Sequence, residues 1–470
     1  MTTAATDLRA LGRTGPVHFM GIGGAGMLAL AELMARRGVQ VTGCDSKRTR
    51  ALADLEGMGV TVWTGHGPEH VDGAVAVIVT SAVPAEHPEL LRAREQGIPV
   101  LKRAAALGSW VAGATVVAIA GTHGKTTTTA MTTEILARAG LEPTGLVGGR
   151  VSSWGGNLRN GSDGLFVVEA DEYDRSFLTL HPDVAVVTNL EADHLDIYGD
   201  LAGVREGFRS FLRGVGPDGR IIVCADDHGA STLLPEFAAS SSTYGLAPGA
   251  MLRATEVRVE NGRTRCTVHE EGVRRGTLDL PMAGRHNLLN ALGAAAAARA
   301  LGVDWSDVME ALSCFSGVGR RFEHLGTVAG VTVVDDYAHH PTEIAATLQG
   351  ARSIFPDRRL IVAFQPHLYS RTRDFVDDFG RVLSRADVAW VTDVFPAREA
   401  PIPGVSGAIV ADAARAAGGQ AVRYHPELGT LATELARELV SGDVLVTMGA
   451  GSIEGLGEEV LELLREARHA

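Results

Sequence analysis

Short apolar runs recur along the chain, most of them followed by a glycine-rich or charged turn and then by apolar positions at helical spacing. Val17–Met20 is the first such run. It leads through MGIGGAGML (20–28) into a helix predicted over Met27–Arg37, with strands expected at Val39–Gly43 and Val75–Ser81. Thr115–Ala120, Leu165–Glu169, Val184–Thr188 and Ile221–Cys224 form a second series, with a helix from the GTHGKTTTT loop to about Ala139. Val331–Val334, Leu360–Phe364, Val388–Val391 and Val444–Thr447 form a third, each preceding a helical stretch. Apolar strands alternating with helices imply parallel sheets.

Between Met251 and Pro281 the periodicity changes. TEVRVENGRTRCTVHE alternates apolar and polar residues around Asn261-Gly262, which predicts a hairpin in an antiparallel insert. Helices are expected over His286–Leu301 and Trp305–Cys314, and GVGRRFEHLG at 317–326 reads as a hinge. The pattern predicts an α/β protein of three domains, bounded at 1–110, 111–320 and 321–470.

Composition narrows the partners. A chain of 470 residues with 45% hydrophobic and 21% charged residues is globular, and its net charge of −13 disfavours bulk binding to nucleic acid or to an anionic membrane surface. No run approaches the ~18 apolar residues of a membrane span, and the opening MTTAATDLRALGRTGP lacks the apolar core of a signal peptide. Cys44, Cys224, Cys266 and Cys314 are scattered, without metal-ligand spacing, and are expected to be reduced thiols of a cytoplasmic protein.

Two glycine loops carry candidate chemistry. Gly21-Ile22-Gly23-Gly24-Ala25-Gly26 follows a strand, opens a helix and has Asp45 at the end of the next strand. By spacing alone this is a dinucleotide-binding fingerprint, but the loop recognises a diphosphate rather than nicotinamide, so an NAD-dependent dehydrogenase is one alternative. Gly121-Thr122-His123-Gly124-Lys125-Thr126-Thr127 is a shortened phosphate loop, with Ile119 where the strict pattern has glycine. Backbone N–H groups after a buried strand cradle phosphates, Lys125 neutralises the β/γ oxygens and the Thr126 hydroxyl suits Mg²⁺. Two such loops predict two phosphorylated ligands.

Acidic and imidazole groups gather at neighbouring strand ends: Glu169, Asp171, Glu172 and Asp174 in VVEADEYD, then Asp193, His194 and Asp196 in NLEADHLD. They suit magnesium bridging a triphosphate and its acceptor. Helix-start preference accounts for Glu172 or Asp174. It does not account for Glu169, whose charge ends an apolar strand. Farther on come RHNLLN (Arg285 to Asn290), Arg320-Arg321, the run Asp335 to Pro341 with His339 and His340, and PHLYSRTR with Arg371 and Arg373. Each lies at a strand end or helix start, the edge where open α/β sheets bind ligands.

The ordered set MGIGGAGM, GTHGKTTTT, VEADE, NLEADHLD, RHNLLN, GVGRRFE, VDDYAHHPTE, FQPHLYSRT, PAREAPIPGVSG and GAGSI resembles the Mur ligases, and among them the branch that joins L-alanine to UDP-N-acetylmuramate in peptidoglycan assembly. The resemblance covers nearly the whole chain. It implies a Rossmann-like UDP-sugar-binding domain, a central ATPase domain and a Rossmann-like C-terminal domain, with ATP and Mg²⁺ as cofactors, in a cytoplasmic monomer or homodimer. Carried over, Gly21, Gly23, Gly24, Gly26, Asp45 and Ser81 would face the UDP-sugar. Gly121, Thr122, His123, Gly124, Lys125, Thr126 and Thr127 would wrap ATP, with Asn287 and Asn290 toward adenine. Thr126, Glu169 and His194 would hold metal, Arg321 and Asp336 would reach the nucleotide, and His339 and Arg371 would face alanine. Leu368 stands where the family often has arginine, which makes Arg373 a further candidate for the alanine carboxylate. The tripeptide-adding recycling ligase of the same family is the nearer alternative, against which FQPHLYSRT and PAREAPIPGVSG argue.

Overall fold

The computed structural model describes residues 6–469. Residues 1–5 of the segment read above as lacking a signal core lie outside the described residues. Three sheets organise the chain. The first is five-stranded and parallel, in the order Thr61–Thr64, Val41–Asp45, Val17–Met20, Ala76–Val79, Val100–Lys102. The ten-stranded second sheet is built around Thr115–Ala120, which pairs in parallel with Leu165–Ala170 on one side and Val184–Val187 on the other. Both neighbours carry the same kind of apolar run. The C-terminal ends of all three strands therefore finish at one edge, which positions the phosphate loop.

The six-stranded third sheet runs Glu323–Val328, Val331–Asp336, Val444–Met448, Leu360–Phe364, Val388–Val391, Val422–Tyr424. Only its first pair is antiparallel. That pairing revises the expected hinge. Glu323–Val328 is a strand, so the irregular part of 317–326 shortens to the stretch before Glu323, where Arg320 (φ 57°) and Phe322 (φ 53°) take left-handed backbone conformations. The two-residue turn at Ala329-Gly330, with both φ positive, folds the strand back on Val331–Asp336, and a bulge between His324 and Gly326 interrupts the pairing.

The chain divides into two compact units. One takes the residues up to Val257, Cys266–Asp279 and Leu289–Ser316; the other takes Arg258–Arg265, Leu280–Leu288 and the chain from Gly317 onward. Within the first unit the two sheets share a continuous core that runs from Phe19, Ile22 and Leu30 through Trp110 to Phe166, Phe177 and Phe208. Arg37, at the end of the helix Ala25–Arg36, fastens the same junction through Asp163 Oδ1 (2.7 Å) and the Gly161 carbonyl (2.8 Å). The hairpin expected at Asn261-Gly262 joins Leu252–Glu260 to Arg263–Glu270, and both turn residues have positive φ (51° and 75°), as a type I′ turn needs. Among the described residues no helix is long and apolar enough to cross a membrane.

Candidate active site

The loop after Thr115–Ala120 is tightly strapped. Gly121 (φ 139°) and Gly124 (φ 81°) occupy backbone conformations that side chains resist, and a Cβ at Gly124 would strike the Asn290 side chain. The residues after Val184–Val187 then clamp the loop. The Thr188 hydroxyl (2.6 Å) and Asn189 Nδ2 (3.0 Å) donate to the His123 carbonyl, Asn189 Oδ1 accepts the His123 N–H (2.8 Å), and Thr122 Oγ1 accepts the Glu191 N–H (3.0 Å). The helix Lys125–Arg138 starts here, and the side chains of Thr126 and Thr127 are buried in its first turn. A helix N-terminus with a rigid loop before it is an anion site by geometry.

Lys125 is directed inward. Its ammonium donates to the Gly121 carbonyl (2.7 Å), the Thr122 carbonyl (3.3 Å) and Glu172 Oε2 (2.7 Å). Burial works against its charge, but the fields of Glu172 and Asp171 outweigh that and raise its pKa. Glu172 is buried, and burial pushes its carboxyl up to about 7 although Lys125 pulls the other way. His194 (φ 51°) brings Nε2 to 3.8 Å from Glu172 Oε1 and sets its ring edge-on to Tyr173. Glu169 Oε1 accepts the Gly148 N–H (2.6 Å).

The first loop reaches the same region. Asp45 Oδ2 accepts the Gly23 N–H (2.9 Å), and the Cys44 carbonyl accepts those of Gly21 (2.8 Å) and Ile22 (3.1 Å). Gly26 then lines a cavity of about 180 Å³ together with Arg103, Gly148, Glu169 and Asp171. One wall therefore belongs to the helix opened by the first glycine loop and the other to the acidic strand end beside the second. Ser81 is placed next to this region by donating to Asp174 Oδ2 (2.7 Å), which also pairs with Lys102 (2.5 Å).

Residues 16–115 match the Mur ligase family catalytic domain, 119–298 the Mur ligase middle domain and 320–451 the Mur ligase glutamate ligase domain. The UDP-N-acetylmuramate–L-alanine ligase of Salinibacter ruber is 44% identical over 456 residues, spanning 97% of this chain and 96% of the relative. The chain belongs to the Mur ligase family. Among solved structures, this Mur ligase is similar to the UDP-N-acetylmuramate-alanine ligase MurC of Thermotoga maritima (TM-score 0.83, 30% identity, 96% of this chain and 100% of that one). It is also similar to a murein peptide ligase of Psychrobacter arcticus (TM-score 0.73, 27% identity, 96% and 98%).

In the C-terminal unit of this Mur ligase a second group of expected residues converges. Asp336 is buried at the end of its strand and accepts the N–H groups of Phe322 and Ala338, both at 2.8 Å. Burial raises its carboxyl to about 6, against the pull of Arg321. The Arg320 and Arg321 guanidinium groups stack on the Tyr337 ring at 5.2 and 5.1 Å. Arg320 is further tied to Asp335 (2.8 Å) and the Gly449 carbonyl (2.7 Å), whereas Arg321 reaches Glu343 at 3.8 Å. His339 packs edge-on against Tyr337 and His367, and His367 Nδ1 lies 3.3 Å from Arg371 Nη1. Arg373 is turned out to solvent, pairing with Asp374, and does not join this group. Asn287 turns its amide to the Ala283 carbonyl (2.8 Å), while Asn290 borders Gly124.

The sequence reading missed one residue and the partner of another. Glu172 looked like an ordinary helix-start acid, yet it is the carboxylate that holds Lys125. Arg103 opens the helix Arg103–Val111 and faces Gly26 and Glu169 across the cavity, with no motif to mark it.

Proposed function

We propose that this Mur ligase joins L-alanine to the carboxylate of UDP-N-acetylmuramate in the cytoplasm, consuming ATP. The observation that carries the reading is the shared cavity: a wall from the diphosphate loop and a wall from the acidic edge beside the triphosphate loop. That arrangement brings a sugar nucleotide's acid group to the tip of a triphosphate. The near full-length similarity to the Salinibacter ruber and Thermotoga maritima enzymes supports alanine as the amino acid.

In the first step the sugar carboxylate attacks the γ-phosphorus, ADP leaves, and an acyl phosphate forms. In the second the alanine amine attacks the acyl carbon and expels phosphate. Both transition states gather negative charge, and preorganised cations lower that barrier most when water is excluded. Lys125 is the cation at the β/γ oxygens, and Arg103 is placed to meet the sugar's carboxylate or diphosphate. Within the C-terminal unit, Arg371, beside His339, receives the alanine carboxylate, and Arg321 is a further cation. Glu169 and Asp171 present carboxylate oxygens to the cavity, and the Thr126 hydroxyl stands at the helix start; that oxygen set fits Mg²⁺. Thr126 and Glu169 would hold one ion and His194 would help hold a second, neutralising triphosphate charge when bound.

Phosphate release measured with each substrate omitted in turn tests the reading. Release is expected only with ATP, UDP-N-acetylmuramate and L-alanine together, and full release without the sugar nucleotide overturns it. Competition of L-alanine with a tripeptide separates the alanine enzyme from the peptide-adding branch.

A further inference from the structure

One face of the first sheet holds a cluster that the ligase reaction does not use. His18 on Val17–Met20, Cys44 on Val41–Asp45 and Glu89 in the helix Pro88–Glu95 are all fully buried, and their donor atoms face one another. Cys44 Sγ lies 3.6 Å from His18 Nε2 and 3.2 Å from Glu89 Oε2, and those two lie 3.9 Å apart. His66, on the exposed side, brings Nδ1 to 3.2 Å from the same sulfur and 3.8 Å from Glu89 Oε1. Zinc bonds of about 2.0–2.3 Å set at tetrahedral angles place neighbouring ligand atoms about 3.3–3.6 Å apart, close to the three edges joining His18, Cys44 and Glu89.

The outer contacts orient these donors. His18 Nδ1 is 3.0 Å from the Thr42 hydroxyl, which leaves Nε2 to the cluster. Glu89 Oε1 is held by the Gly67 N–H (3.0 Å) and by His70 Nδ1 (2.9 Å), so that Oε2 faces sulfur and imidazole. Outer partners of this kind fix ligands at metal centres. Charge points the same way. One thiolate and one carboxylate neutralise a divalent cation, so binding would release the thiol proton to solvent and leave a buried site with no net charge.

We propose that His18, Cys44 and Glu89 form a site for a borderline divalent transition metal, with His66 as an outer partner beside the sulfur and Zn²⁺ the best match to one sulfur, one imidazole and one carboxylate with a fourth position open. The site is distinct from any Mg²⁺ held by the catalytic carboxylates, because Mg²⁺ prefers an all-oxygen set. It ties two strands and one helix together beneath the first glycine loop, whose Gly21 and Ile22 N–H groups bond to the carbonyl of Cys44 itself.

The test uses the full chain, stripped by chelator and kept in excess Mg²⁺. Titration with Co²⁺ is expected to give thiolate-to-cobalt charge-transfer absorption that saturates at one equivalent and is lost in Cys44→Ser. Zn²⁺ competition against an indicator dye is expected to show affinity lowered in His66→Ala by the ~10–100-fold that loss of an outer partner produces. His66 is partly exposed, so that variant keeps the test open if a buried substitution fails to fold. Absence of the charge-transfer band in the wild-type chain overturns the proposal, leaving a hydrogen-bonded thiol only. Zn²⁺ affinity unchanged in both variants overturns it as well.

Discussion

The Lys125 ammonium lies 2.7 Å from Glu172 Oε2, so the cation of the phosphate loop is already paired with a buried carboxylate. The pairing solves a problem of burial. A buried ammonium bonded to the Gly121 and Thr122 carbonyls needs a counter-ion, and Glu172 supplies one until a triphosphate arrives. Removing one partner of a buried pair costs about 3–5 kcal/mol, much of it from the charge left behind. Glu172→Ala is therefore expected to lower stability by about 3 kcal/mol in chemical denaturation without nucleotide. Saturating ATP should recover part of that loss, because phosphates replace the carboxylate. Equal destabilisation with and without ATP would show that Lys125 does not meet the triphosphate.

The same pair predicts a pH dependence. Burial raises Glu172 from its ordinary 4.5 to about 7. The folded chain therefore keeps a proton there that the unfolded chain has already released. The contribution is fully present below about pH 4.5 and is lost as pH rises through about 7. Lys125, shifted upward from 10.5, titrates above this window. Urea midpoints compared across pH 5 to 8 should show wild type losing stability relative to Glu172→Gln, whose neutral amide has no proton to release. Parallel midpoints in the two proteins would rule out titration of Glu172.

These features differ in how far they could be read from residues alone. The central strands were legible because sheets covered on both faces need continuous apolar runs, as in Thr115–Ala120 and Leu360–Phe364. The edge strands Thr61–Thr64 and Val422–Tyr424 are partly exposed and mixed in character, and carry no such pattern. Asn261-Gly262 announced its hairpin. Glu271-Gly272 makes the next turn with the same positive φ values, but glutamate has no preference that would reveal it. The two loops were legible from glycine and lysine spacing. Glu172, Arg103 and the Cys44 cluster were not, because their partners come from other strands and only folding brings them together.

The loop glycines should tolerate no side chain. Gly124→Ala combines a left-handed φ of 81° with a clash against Asn290. The backbone term alone costs about 1–3 kcal/mol, and the clash adds to it. Asn290→Ala in the same chain removes the clash but not the strain, so a double-mutant cycle on unfolding free energy should return a coupling of about 0.5–3 kcal/mol in the rescuing direction. Strict additivity would mean that the two residues do not touch.

Arg371 and Arg373 stand two positions apart on one short helix and face different surroundings. Arg371 is buried beside His367, near His339 and the loop set by Asp336, while Arg373 pairs with Asp374 in solvent. A charge-assisted hydrogen bond to a carboxylate contributes about 1.5–3 kcal/mol, which corresponds to ~10–150-fold in the KM for L-alanine. Arg371→Ala should raise that KM by this factor and leave the KM for ATP nearly unchanged. Arg371→Lys should recover only part of it, since an ammonium lacks the guanidinium's two-pronged geometry. Arg373→Ala, a surface change, should stay within about 0.5 kcal/mol, or roughly two-fold. Steady-state kinetics with each substrate varied in turn distinguishes these outcomes. If Arg371→Ala weakened all three substrates equally while lowering the unfolding midpoint, Arg371 would be a packing residue and the alanine carboxylate would be held elsewhere.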